Sequence, residues 1–85
     1  MDTTSLLVNA IVEDIEAMDK YKKGSLSHDL IAYCRLAQIV GEKLEAALRD
    51  KWREALLQRF KYFNYLDLKS HGDVHRGLLA LGWKG

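Results

Sequence analysis

The stretch HDLIAYCRLAQIVGEKLEAALRDKWREALLQRFKYFNYL, residues 28–66, decides the fold. Stepped at about 100° per residue, Leu30, Cys34, Ala37, Gly41, Leu44, Leu48, Trp52, Ala55, Arg59, Phe63 and Leu66 fall on one stripe. Every step along it is three or four residues, the spacing of an amphipathic helix. No proline interrupts the run, and Gly41 costs a helix interior only about 1 kcal/mol. The phase never slips, which predicts one continuous helix over residues 28–66, roughly 60 Å long. The alternative is a break near Asp50, which has the side chain to cap a new helix.

The two halves of this stripe differ in size. Cys34, Ala37 and Gly41 are small and admit a close neighbour, expected to be the preceding helix. Leu44, Leu48, Trp52, Phe63 and Leu66 are large, and a helix of about 30 Å cannot cover both halves. The large half therefore predicts self-association, with Leu44, Leu48, Trp52, Ala55, Arg59, Phe63 and Leu66 as the seam of a homodimer. Arg59 lies at the centre of that stripe, where an unpaired charge is costly. A partner helix bringing a carboxylate to it, or snorkelling to water, would relieve the cost.

Before this stretch, Leu7, Ile11, Ile15 and Met18 recur at helical spacing, widened by Val8 and Val12, and predict a helix over residues 4–23. Lys20, Lys22 and Lys23 suit its C-terminal dipole, and Gly24 suits its end. Gly24-Ser25-Leu26-Ser27 is a short link, which implies antiparallel neighbours, with Ser27 placed to cap the next helix. After the stretch, Asp67-Leu68-Lys69 reads as a turn and Ser70-His71-Gly72-Asp73 as a weak capping box. Val74, Leu78 and Leu81 then share a face of a short helix over residues 71–81, stopped by Gly82. Gly72 and Gly77 weaken that helix in isolation. The fold class is thus all-α: a helical hairpin with a long second helix and a short C-terminal helix. It forms a single domain over residues 1–85.

Composition agrees with a folded chain. Of 85 residues, 48% are hydrophobic and 29% charged, outside the disordered range. The single cysteine, Cys34, excludes an internally disulfide-stapled mini-protein. No apolar run approaches the roughly 18 residues of a membrane span. Met1-Asp2-Thr3-Thr4 carries no basic leader, so the expected location is cytoplasmic, away from membranes. Net charge is +1 but uneven. Residues 1–42 carry four Lys/Arg against seven Asp/Glu, a net −3; residues 43–85 carry nine against five, a net +4. Such asymmetry fits either a basic binding face or mutual attraction of the two halves.

Chemistry-bearing motifs are sparse. His71 and His75 have metal-ligand spacing, but no cysteine pair or nearby third histidine supports them, so no metal is expected. Cys34 sits among small apolar residues and reads as a small hydrophobe; no catalytic residue is assigned to it. No Gly-rich phosphate loop or HExxH sequence is present, and neither enzyme activity nor a cofactor is expected. Ala37-Gln38-Ile39-Val40-Gly41 resembles the end of the first helix and the turn of a helix-turn-helix. The resemblance covers only about ten residues. It fails downstream, where Ala47 and Asp50 occupy anchoring positions and Glu42 and Glu45 would face phosphates. Arg49 to Tyr65 interleaves cations with aromatics, as a strand-binding surface does, but these side chains scatter around the helix.

The reading that remains is a non-catalytic regulator, inhibitor or adaptor acting by protein–protein contact as a homo-oligomer. Nucleic-acid binding through the basic C-terminal half is the alternative. A protein partner is expected to dock on Arg53, Lys61, Tyr62, Tyr65 and Trp83, because aromatics and arginine supply most interface hot spots.

Overall fold

The structure, a computed structural model, describes residues 3–17, 28–61 and 69–84. Among them are four α-helices and no strand: α1 (Thr3–Ala17), α2 (His28–Val40), α3 (Ala46–Phe60) and α4 (Gly72–Ala80). A 3₁₀ turn, Gly41–Lys43, follows α2. The all-α class is therefore what the chain adopts.

The continuous helix over residues 28–66 is not what forms. The α-helix ends at Val40, tightens into the 3₁₀ turn, and then Leu44 (φ −83°, ψ 153°) and Glu45 (φ −62°, ψ 151°) are extended. Nor does the break fall near Asp50, which lies inside α3 and pairs with Arg53 at 2.9 Å, one turn on. The physical reason is burial. A 60 Å rod would leave the large half of the stripe in water, whereas the described residues extend only 36 Å along their longest axis. Two extended residues cost little, since any side chain adopts that backbone. At the corner they sink Leu44 into the core.

The helix pairing also departs from expectation. The small half of the stripe is met by α4, not by α1, and α1 packs on α3 instead. A Cβ built on Gly77 would stand 2.6 Å from the Cys34 carbonyl oxygen, and one on Gly41 would stand 2.8 Å from the Ala80 carbonyl oxygen. The α2 and α4 backbones therefore touch, which only small residues permit on both sides. Gly77, a weakness when α4 is read alone, is what lets α4 dock.

One core runs through all four helices. It joins Val8, Ile11, Val12 and Ile15 of α1 to Leu30, Cys34 and Ala37 of α2. Trp52, Leu56 and Phe60 of α3 and Val74, Leu78 and Leu81 at α4 complete it. On α1 the buried stripe is Val8, Ile11, Val12 and Ile15, and Leu7 is left half exposed, contrary to its expected place. Residues 18–27, with Met18, the Lys20–Lys23 cluster, Gly24 and Ser27, lie outside the described residues.

The end of α4 was legible. Gly82 has φ +92°, its N–H donates to the Leu79 carbonyl at 3.0 Å, and the Trp83 N–H donates to the Leu78 carbonyl at 2.9 Å. This is the paired bonding of a Schellman motif, with glycine at the left-handed position. The start of α4 was not: His71 is its N-cap residue with no side-chain cap bond, so the Ser70–Asp73 capping box does not form. Gly82→Ala is expected to cost about 1–2 kcal/mol through the left-handed backbone. Its Cβ would also press on Arg53 Nη1 at 3.1 Å. Chemical denaturation reads this directly, and an unchanged midpoint would contradict the motif.

Candidate functional site

A polar cluster sits over the seam between α2 and α4, and it begins with one residue, Asp73 in the first turn of α4. Arg35 Nε donates to Asp73 Oδ2 at 2.9 Å. Gln38 Nε2 donates to the Asp73 carbonyl at 3.0 Å and to Oδ1 at 3.3 Å. Arg76 Nη2 donates to Oδ1 at 3.2 Å, and its Nε reaches Gln38 Oε1 at 3.4 Å. Helical spacing places Arg35 and Gln38 on one edge of α2, and Asp73 and Arg76 on the facing edge of α4. The hydrogen bond from Arg35, then that from Gln38, holds the Asp73 carboxyl below its ordinary range. A lowered carboxylate pKa in the folded state stabilises the fold above the unfolded value of 3.8. That contribution is lost as pH falls below it.

Three cations of α3, Lys51, Arg53 and Arg59, work as braces within the chain. Lys51 Nζ donates to Asn9 Oδ1 of α1 at 2.6 Å. Arg53, expected as a free rim charge for a partner, donates from Nη1 to the Leu81 carbonyl at 3.2 Å and pairs with Asp50 and Glu54. Arg59 Nη2 donates to the Glu16 backbone carbonyl at 2.7 Å. Arg59 thus has an acceptor within its own chain, a backbone carbonyl of α1.

The proposed dimer seam fares likewise. Trp52 and Ala55 are buried within one chain against the α1–α3 contact, Leu44 is buried at the corner, and Leu48 is half-buried. The premise that this half-stripe is left uncovered does not hold for them. Phe63 and Leu66 of the seam, and Tyr62 and Tyr65 of the docking surface, lie outside the described residues. Lys61 is exposed at the end of α3. Trp83, expected on the docking surface, is half-buried, packs on the core and stands edge-on to His75, with ring centroids 5.9 Å apart. His75 is therefore turned to an aromatic neighbour, and no group of three metal-ligating side chains occurs among the described residues.

Two protonated groups are locked by their surroundings. Burial pushes the Cys34 thiol up to about 12, and Asp73 adds to the effect. A thiol so held is a poor nucleophile. The Tyr33 hydroxyl donates to Asp14 Oδ2, tying α2 to α1, and that bond pushes its pKa up to about 12. Both groups ionise more readily in the unfolded chain, where the values are 9.0 and 10.0. Their contribution is whole below pH 9 and is lost between pH 9 and pH 12. The urea midpoint is expected to fall across that window, and to fall less in a Cys34→Ala, Tyr33→Phe double variant. Parallel slopes for the two proteins would contradict this.

Comparison of the chain with family models, curated proteins and solved structures finds no match. The site's own chemistry is then the guide to its role. An open recess between α1 and α3 is lined by Glu16, Lys51, Glu54, Ala55, Gln58 and Arg59. It mixes both charges, and its two cations already hold α1. No helix among the described residues is long and apolar enough to cross a membrane.

What stands out instead is apolar exposure. Leu6 is 55% exposed, Leu7 49%, Ile39 68% and Leu79 48%. Sequence reasoning names none of these as a site residue. Spacing assigns Leu7 to a core stripe, and Ile39 lies in the segment that resembles a helix-turn-helix. The available signal was the helical projection itself, which places Ile39 opposite Cys34 and Ala37.

Proposed function

We propose that this protein is a non-catalytic regulator or adaptor that acts by protein–protein contact and associates with copies of itself. The observation that carries the reading is a division of labour among side chains. The polar groups Arg35, Gln38, Asp73, Lys51, Arg53 and Arg59 bond within the chain, whereas four large apolar side chains face solvent. Apolar side chains exposed in groups mark contact surfaces more often than catalytic ones. The bracing roles of Lys51, Arg53 and Arg59 also leave less of the basic half of the chain for phosphates.

Sedimentation equilibrium over a wide concentration range tests the reading, with fluorescence anisotropy on single- and double-stranded DNA and RNA beside it. The expected result is a mass rising above the 9.8 kDa of one chain, with weak or no nucleic-acid binding at about 0.15 M salt. A monomer that binds nucleic acid with submicromolar Kd, steeply weakened by salt, would replace this reading with the nucleic-acid one.

A further inference from the structure

The four exposed apolar side chains are not scattered at random with respect to charge. On α1, Leu6 and Leu7 share the outward face with Ala10, Glu13 and Asp14, all exposed. No cation lies anywhere in Thr3–Ala17. On α2, Ile39 follows Arg35 by one turn, and on α4, Leu79 follows Arg76 by three residues. Arg35 and Arg76 are 67% and 62% exposed, and the Asp73–Gln38 bonds join their helices edge to edge. Helical projection then orders the surface as a belt across the seam: Ile39, Arg35, the half-buried Gln38 and Asp73, Arg76, Leu79. The molecule thus carries two leucines beside acids on one surface, and two aliphatics beside arginines on another.

We propose that these two surfaces are complementary and that the acidic, leucine-bearing face of α1 in one copy docks on the arginine belt of α2 and α4 in a second copy. The proposal rests on the self-association part of the reading above and replaces the Leu44–Leu66 seam as the contact. Charge complementarity selects the occupant. A belt–belt contact would oppose arginines, and an α1–α1 contact would bring acid-bearing faces together, whereas α1 on the belt pairs opposite charges and buries all four apolar side chains. Such a contact joins different surfaces, so it closes into a reciprocal pair or ring, or propagates head to tail. Salt weakens it, because the charges lie at the rim.

The test uses two full-length double variants, Leu6→Ser with Leu7→Ser and Ile39→Ser with Leu79→Ser, each checked for unchanged helicity and melting temperature. Each alone is expected to weaken self-association by at least about tenfold in sedimentation equilibrium. Mixed together, they are expected to form a one-to-one complex, since one retains the belt and the other the α1 face. A parent chain that stays monomeric at millimolar concentration overturns both this proposal and the self-association reading. A parent chain that associates while either variant associates equally well overturns only the assignment of faces. Variants that are each monomeric and do not combine overturn it too, because an intact belt and an intact α1 face are then present together without binding.

Discussion

Gly77→Val is expected to unfold the α2–α4 half of the molecule. The first carbon added at Gly77 would lie 2.6 Å from the Cys34 carbonyl oxygen and 2.9 Å from its Cα, and backbone cannot swing aside as a side chain can. The helices must separate, which strips the Asp73 bonds to Arg35 and Gln38 and uncovers Val74, Leu78 and Leu81. Overpacking costs about 1–3 kcal/mol for an inserted methylene or two. Valine adds more than that against backbone, so a loss above about 3 kcal/mol is expected. Gly77→Ala is the sharper measurement. Alanine improves intrinsic helix stability by about 1 kcal/mol, so a lower urea midpoint in that variant can come only from the contact. An equal or higher midpoint would mean that α4 does not lie against α2 at Cys34.

Trp52→Ala is expected to cost about 3–5 kcal/mol, a large share of the roughly 5–15 kcal/mol that holds a small domain together. Trp52 is fully buried in α3, in the one core that also receives Val8, Ile11 and Ile15 from α1. Its indole N–H meets no acceptor among the described residues, so packing and burial hold it, not a hydrogen bond. Trp52→Phe should therefore lose much less, keeping most of the apolar volume while removing a buried donor. Thermal melts of the two variants separate these effects. If Trp52→Phe fell as far as Trp52→Ala, a polar contact of the indole would outweigh its packing. Had Trp52 lain on an intermolecular seam, Trp52→Ala would instead make stability lose its dependence on protein concentration.

Much of the candidate surface was beyond reach of sequence reasoning for a definite cause. Arg53 and Arg59 read as charges awaiting a partner because their acceptors, the Leu81 and Glu16 carbonyls, are backbone atoms that every residue carries. No residue type advertises such an acceptor. Trp83 reads either as a docking residue or as a cover folded back over Leu78 and Phe60, because a Trp-Lys-Gly tail has no pattern to choose between them. Its place follows from the Gly82 turn, which sends the chain back onto the core. The Asp73 cluster joins residues 35 and 38 to 73 and 76, across a separation that periodicity does not span.

The sequence by itself determined that the chain is helical, that α4 stops at Gly82, and that Cys34, Ala37 and Gly41 admit a close neighbour. These are local matters: spacing, backbone freedom at glycine, and side-chain volume act within a few residues of their own position. Tertiary structure alone decided that α4 rather than α1 fills the small groove, and that the long stripe breaks at Leu44–Glu45 so that α3 meets α1. Periodicity names the face that must be buried but not what buries it, because apolar burial has no direction and accepts any surface that fits. The steric fit of Gly77 on Cys34 and of Gly41 on Ala80 supplied the choice. The break followed, since two extended residues cost far less than leaving Leu44, Trp52 and Leu56 in water.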